Sequence, residues 1–401
     1  MSRFKHIGRN TLWSGLAAMV FGLTAPAYAQ DVTLRSADGL VNLTGEIVEF
    51  DGERYVIQSQ LGPLNVSADY VECFGDACPS NDPNAVFPVT WSVSLWGSRR
   101  AFTEHVEKLG ELLAERTDGN FRLNISYGGL SPSRENLDGI ANGAFEMAQF
   151  CAGYHPDKNP SITVLELPFL GVQTMEQEMA VSRAIYRHPA VVADLARWNA
   201  TLLMPTPQPQ YNIAGAGSPP TSLESFQEMT IRAAGGTGDA VEALGAASVV
   251  IPAPGVQEAL LDGEINAVAF APHAHMAFGT IESSTWWTTN LNPGTANCPV
   301  VVNSDALERL PMPYRIALLS SIDEALQHFI TNYESSTMSE WETVLKDRSI
   351  IELTFADGFL DVIKQEVAAP AAQRWIAENE ARGLPASEIY ELLVATLENQ
   401  S

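Results

Sequence analysis

The sequence predicts an α/β fold preceded by a small all-β module. Three observations carry this prediction. From residue 89 onward, short runs of strand character alternate with stretches of helical spacing, the βαβ rhythm that calls for a largely parallel sheet covered by helices on both faces. Residues 31–78 hold only short apolar runs separated by turn dipeptides. A polar stretch containing Pro79, Pro83 and Pro88 divides the two textures.

The first segment, 1–29, reads as a cleavable secretion signal. Arg3, Lys5 and Arg9 form a positive start, an apolar run occupies 12–23, and Ala27-Tyr28-Ala29 offers small residues where signal peptidase needs them. The apolar run falls short of the roughly 20 residues that span a bilayer. No later stretch is long and apolar enough to do so. Cleavage after Ala29 is expected, leaving Gln30 as the first residue of a soluble protein in the periplasm. Gln30 is not the cysteine that a lipid anchor would require.

Residues 30–79 form the expected β module. Val41, Leu43, Ile47 and Val48, then Tyr55, Val56 and Ile57, then Leu64 and Val66 are its apolar runs. Asp38-Gly39, Asp51-Gly52 and Gly62-Pro63 punctuate them. So short a unit buries little surface, and in an oxidising compartment a Cys73–Cys78 disulfide is the natural staple. Residues 80–88 then read as a linker.

The α/β body runs from 89 to 401. Strands are expected at 89–95, 121–127, 144–151, 229–232, 248–251 and 265–270, with helices over Phe102 to Leu113, 136–142, 239–244 and 256–261. The tail from Asp305 is helical, with periodic stretches at 316–330, 359–367, 371–380 and 387–397. Cys151 and Cys298, far apart in sequence, are expected to be reduced and buried as small apolar side chains.

Charge limits the partners. The chain has 23 basic and 48 acidic residues, a formal net charge of -25. Such a surface repels nucleic acid and anionic lipid. An anionic solute would need a local positive group to draw it in. Enzyme signatures are sparse: no Gly-x-Ser-x-Gly elbow, Walker loop or dinucleotide-binding glycine motif is present. The turn 233–238 (AAGGTG) resembles a phosphate cradle but lacks its lysine, so an ordinary strand-to-helix turn accounts for it. His273 and His275 would share a face in a strand and are the one close histidine pair. They have no third ligand nearby, so no metal is expected. An exported hydrolase or lyase using His273 or His275 remains the competing function, and an adhesion role for the β module a third.

Arg232 stands out. It ends an apolar strand and enters a turn containing Gly235, Gly236 and Gly238, where ligands of parallel α/β sheets bind. Its planar fork suits a carboxylate, although a surface salt bridge would equally explain the residue taken alone. Trp96 follows the first strand on the same side, and Phe150, Cys151 and Tyr154 follow the third. Trp286-Trp287 suits core packing better than a cleft, and Asn292 and Asn297 flank a Pro-Gly turn and read as loop.

Residues 222–236 (SLESFQEMTIRAAGG), 244–246 (LGA), 256–266 (VQEALLDGEIN), 300–311 (VVNSDALERLP within it), 139–148 (GIANGAFEMA) and 167–170 (LPFL) occur in an order that resembles the solute receptors of TRAP transporters, the DctP family. The resemblance runs from about Val89 to the C-terminus. It implies a two-lobed periplasmic-binding-protein-like fold with hinge strands and a long connecting helix. Lobe I would comprise about 89–210 and 298–337, and lobe II about 211–297 and 338–401. It further implies a receptor that closes on an organic acid and hands it to membrane permease subunits, with no catalysis and no cofactor. The family's carboxylate-clamping arginine falls on Arg232, and a hydrogen-bonding pocket asparagine on Asn303. Many members carry a second arginine where this chain has Asn212, so a ligand with one carboxylate, or one charge plus hydroxyls, is expected. Where one branch places a Glu-Trp pair beside a bound cation, this chain has Ala269-Phe270. Phe270 is therefore expected to stack on the ligand, with no metal in the pocket.

Overall fold

The computed structural model describes residues 31–50, 54–59, 62–75, 77–79 and 87–400. The expected signal and its cleavage site, the Asp51-Gly52 turn and most of the linker lie outside them. The chain forms two compact units that divide between Cys78 and Pro79.

In the first unit, five strands make one antiparallel sheet: β1 (Asp31–Arg35), β2 (Asn42–Phe50), β3 (Arg54–Ser59), β4 (Gly62–Ser67) and β5 (Glu72–Phe74), in the order β4-β3-β2-β1-β5. Alternation turns Val32 and Leu34 of β1 and Tyr55 and Ile57 of β3 inward, where they pack with Val71. That core is small. Cys73, at the edge of the sheet in β5, is bonded to Cys78 as expected.

The second unit contains the α/β body. Its strands are β6 (Val89–Leu95), β7 (Phe121–Tyr127), β8 (Met147–Gln149), β9 (Ala200–Met204), β10 (Asn212–Gly215), β11 (Thr230–Arg232), β12 (Ala247–Val249), β13 (Ala267–Phe270), β14 (Trp286–Thr288), β15 (Val300–Asn303) and β16 (Ile351–Leu353). They form two sheets, β7-β6-β8-β15-β9 in lobe I and β12-β11-β13-β10-β14-β16 in lobe II. Each sheet has a parallel βαβ nucleus, β7-β6-β8 and β12-β11-β13. The expectation of a largely parallel sheet is corrected by the strands next to those nuclei. β10 and β15 are the first strands after the chain crosses between lobes, and each enters antiparallel to its neighbours on both sides.

Packing follows the apolar periodicity. In β6, Trp91, Val93 and Leu95 point into a core closed by Val106, Leu109, Leu112 and Leu113 of helix Glu104–Arg116. Three consecutive helical segments run from Met312 to Asp347. Leu318, Ile322 and Leu326 pack in the lobe I core, while Trp341 packs with Ala214 and Trp287 of lobe II. This is the long connecting helix. The stretches 359–367 and 371–380, expected as two, form one helix, Asp357–Glu380, that passes through Pro370. Its first half packs on lobe II through Leu360, Ile363 and Val367; Ala372 and Trp375 join Ile389 and Leu393 of the last helix against Val181 and Ile185 of lobe I. Assigning all of 338–401 to lobe II therefore does not describe this packing: the apolar face of helix Ala386–Glu398 is covered by lobe I. Among the described residues, no helix is long and apolar enough to cross a membrane.

Candidate functional site

A cavity lies where the two lobes face each other, beyond the carboxyl ends of β6, β8, β11 and β13. The hinge segment after β9 contributes Gln208 and Tyr211, and the one before β15 contributes Ala296 and Cys298. The walls are chiefly apolar and aromatic.

Arg232 is the last residue of β11 and only 2% exposed. Its Nε donates to the Ile251 carbonyl at 2.9 Å, Nη1 to the Ala269 carbonyl at 3.4 Å and Nη2 to the Tyr154 hydroxyl at 3.2 Å. The Phe270 ring lies under the guanidinium, 4.5 Å from its central carbon. All three acceptors are neutral, so the surface salt bridge that might have explained this arginine is not what it makes. A buried guanidinium held this way is not neutralised, so the cost of its desolvation is left uncompensated by any carboxylate among its hydrogen-bond partners.

Three other expected residues meet Arg232 in the cavity. Tyr154 comes from lobe I, and its hydroxyl also accepts the Ala253 N–H at 3.1 Å. Trp96 follows β6 and packs edge-on to Tyr154, with ring centroids 5.9 Å apart. Phe270 ends β13 and packs edge-on to Tyr211.

Three do not. Asn303 caps helix Ser304–Arg309: its Oδ1 accepts the Ala306 N–H at 2.9 Å and its Nδ2 donates to the Ile140 carbonyl at 2.7 Å. Asn212 is spent on the hinge, where its Oδ1 accepts from Thr288 and from the Leu291 N–H and its Nδ2 donates to Asn292. Phe150 is fully buried in a lobe I cluster with Leu137, Ile140 and Phe145. Asn303 sits at the end of β15 away from cavity-lining Cys298, and the other two side chains are claimed by their own neighbours.

Sequence reasoning missed Arg100, Phe102, Tyr211 and Phe278, all of which line the cavity. Arg100 follows β6 by five residues, beyond the same strand end that singled out Trp96. That signal was available. Phe278 was hidden, since nothing in the sequence says that helix Pro272–Ala277 folds back until its following ring stacks on Trp96 at 6.4 Å.

Other expectations change here. Cys151 and Cys298 are bonded to each other, tying the end of β8 to the hinge segment before β15. Sequence distance concealed the antiparallel pairing of β8 with β15 that brings them together. His273 and His275 sit on a helix rather than a strand, so they diverge: His273 meets the Tyr333 hydroxyl at 2.8 Å and His275 the Thr280 hydroxyl at 2.7 Å. Burial lowers the pKa of both, that of His275 to about 3, so both are neutral and hydrogen-bonded; His273 lines the cavity, and His275 is a core side chain. Trp286 and Trp287 are buried in lobe II cores, as expected. Asn297 is no mere loop residue. Its backbone N–H donates to Glu166 at 2.9 Å, and its side chain receives the Tyr186 hydroxyl at 3.1 Å.

Two buried carboxyls of lobe I hold the hinge segments. Glu166 accepts the Gly153 and Asn297 N–H groups, and Glu178 accepts the Gln208 N–H and the Thr295 hydroxyl. Desolvation outweighs these bonds and pushes Glu166 up to about 7 and Glu178 to about 8.

Comparison with known proteins agrees with this architecture. Residues 93–371 match the family model of bacterial extracellular solute-binding protein, family 7. A Bordetella pertussis extracytoplasmic solute receptor binding pyroglutamic acid superposes with TM-score 0.66 at 16% identity, covering 77% of this chain and 99% of that one. A marine metagenome TRAP solute-binding protein in complex with 3-hydroxybenzoate gives 0.69 at 18%, covering 78% and 99%. A Bordetella bronchiseptica TRAP periplasmic solute-binding protein with bound mandelate gives 0.68 at 19%, covering 78% and 100%. At such identities the superpositions speak for the two-lobed fold, and the family match speaks for kinship. Members of the matched family bind solutes rather than transform them. The chain belongs to the bacterial extracellular solute-binding protein family 7, the DctP family.

Proposed function

We propose that this protein is the periplasmic receptor of a TRAP-type transporter, binding a carboxylate-containing organic acid and delivering it to membrane permease subunits. The carboxylate meets Arg232, and Trp96, Tyr154 and Phe270 enclose the rest of the molecule. The observation that carries this reading is a buried guanidinium, oriented by neutral oxygens alone, lining an apolar interlobe cavity. In a chain of net charge -25, that local positive group is what an anion requires. Lobe closure needs no chemistry, only contacts made in the closed state and lost in the open one. The signal-like segment ending at Ala29 supports release into the periplasm. The solutes named for the similar structures, pyroglutamate, 3-hydroxybenzoate and mandelate, each carry a carboxylate.

Mass spectrometry of small molecules released by mild denaturation tests this reading. An unmodified organic acid, near one per protein, is the expected result. A neutral or cationic solute in its place would contradict it.

A further inference from the structure

We infer that Arg100 is a second ligand anchor, and that the solute is a flat organic acid whose carboxylate meets Arg232 and whose second carboxylate meets Arg100 and the Trp96 indole N–H. This rests on the receptor reading above and narrows its ligand.

Arg100 lines the cavity from lobe I and is 8% exposed. Its Nη1 donates to the Trp96 carbonyl at 3.1 Å and the Ser98 carbonyl at 2.7 Å. Its Nε and Nη2 are buried with no hydrogen-bond partner among the described residues. The Trp96 Nε1, from the same corner, is also buried without a partner. Buried polar groups in folded proteins are almost always paired, and unpaired charged donors are the most costly. Aromatic rings surround the guanidinium: Trp96 lies 4.4 Å, Phe102 4.7 Å and Phe278 5.1 Å from its central carbon. Rings stabilise the faces of a guanidinium but not its edge, and the edge is where a carboxylate docks in bidentate fashion. Burial lowers the Arg100 pKa only to about 10, so the charge persists at neutral pH.

The charge balance of the cavity points the same way. It is lined by two guanidinium groups and by one carboxyl, Glu166, which already accepts two backbone N–H groups. Counting only the position of Asn212 suggested a ligand with a single carboxylate. The second cation comes instead from the opposite lobe. A solute with acceptors at both ends then touches Arg100 of lobe I and Arg232 of lobe II together, which ties binding to closure. The apolar walls between them suit a flat hydrocarbon body.

The test is calorimetric titration of the full-length exported protein with benzoate, 3-hydroxybenzoate and benzene-1,3-dicarboxylate. The wild type is expected to bind the dicarboxylate at least about tenfold more tightly than benzoate, the scale of one charge-assisted contact. In Arg100→Met that preference should shrink to about twofold, and Arg100→Lys should restore part of it. Melting curves establish that the variants fold. Equal wild-type binding of benzoate and the dicarboxylate, or tightest binding of 3-hydroxybenzoate, overturns the second carboxylate. Equal weakening of all three acids by Arg100→Met overturns Arg100 as its anchor. If benzoate binding is lost in Arg232→Met while either of those results holds, the receptor reading stands and only this inference falls. No binding by any of the three overturns this inference, and the receptor reading then rests on the acid released from the protein.

Discussion

The Tyr154 hydroxyl belongs to lobe I but accepts two N–H groups from lobe II, Arg232 Nη2 and the Ala253 amide. Replacing it with phenylalanine keeps the ring against Trp96 and strands both donors. Leaving buried donors unpaired costs about 1–3 kcal/mol, so Tyr154→Phe is expected to weaken binding of the solute by about tenfold in calorimetry, with a smaller effect on the melting temperature of the free protein. Affinity within twofold of the wild type would show that the hydroxyl does not help to align Arg232. Residues of this kind differ in how far sequence betrays them. Arg232 was legible because its place at the end of an apolar strand coincides with the family's clamping arginine; taken alone, a surface salt bridge explained it as well. Asn303 and Asn212 were misplaced because the one-letter pattern fixes a position on a strand but not which neighbouring amides claim the side chain.

Gly235 and Gly236 act at the scale of elements. They join β11 to helix Gly236–Ala243, and Gly235 has φ of 58°, where a side chain is disfavoured. A Cβ on Gly236 would stand 2.2 Å from the Glu166 carbonyl oxygen and 2.5 Å from the Pro168 nitrogen, both backbone atoms of lobe I. The glycine is therefore what lets the lobes meet. Gly236→Ala is expected to hold them apart: small-angle scattering should show a larger radius of gyration with solute present, and affinity should fall by at least about tenfold, since contacts made only on closure are lost. An unchanged scattering profile would place the contact outside the closing motion. At this scale the sequence reading worked best where periodicity was strong, as in β6, β7 and helix Glu104–Arg116. It failed where register between distant segments decides the outcome. The antiparallel entry of β15 cannot be read locally, and with it went the Cys151–Cys298 bond. Nor does local periodicity say that a helix continues through Pro370, because neighbouring packing outweighs the lost hydrogen bond.

Buried titrating groups give the whole molecule a pH optimum. His105, His155 and His275 are lowered to about 3, 4 and 3, and His273 is lowered too, all chiefly by desolvation. The unfolded chain binds their protons first as pH falls through about 6.5, so stability is lost on the acid side. Glu166 and Glu178 are raised to about 7 and 8, so the folded state holds protons that the unfolded chain has released above about 4.3. Their contribution is lost as pH rises through 7 to 8. The two trends oppose each other between pH 4.5 and 6.5, and only the glutamates act above 7. The melting temperature is expected to peak near neutrality or slightly below and to fall towards pH 8.5. Glu178→Gln should flatten that fall, because the amide keeps an acceptor for the Gln208 N–H while the Thr295 hydroxyl turns to accept from it. A flat profile from pH 7 to 8.5 in the wild type would contradict the buried, protonated carboxyls. Also at this scale, the division into a disulfide-stapled β module and an α/β body was legible in the pattern of strands, turns and cysteines. The two lobes came only with the family resemblance, and the split of the C-terminal helices between lobes came from neither.

The central claim is that Arg232 anchors the carboxylate of a solute held between the lobes. Its most direct test is calorimetric titration of the acid released from the protein into wild type and Arg232→Met. Loss of a charge-assisted bidentate contact costs about 1.5–3 kcal/mol, so affinity should fall by at least about tenfold in a variant that remains folded. Affinity within about twofold of the wild type would contradict the account.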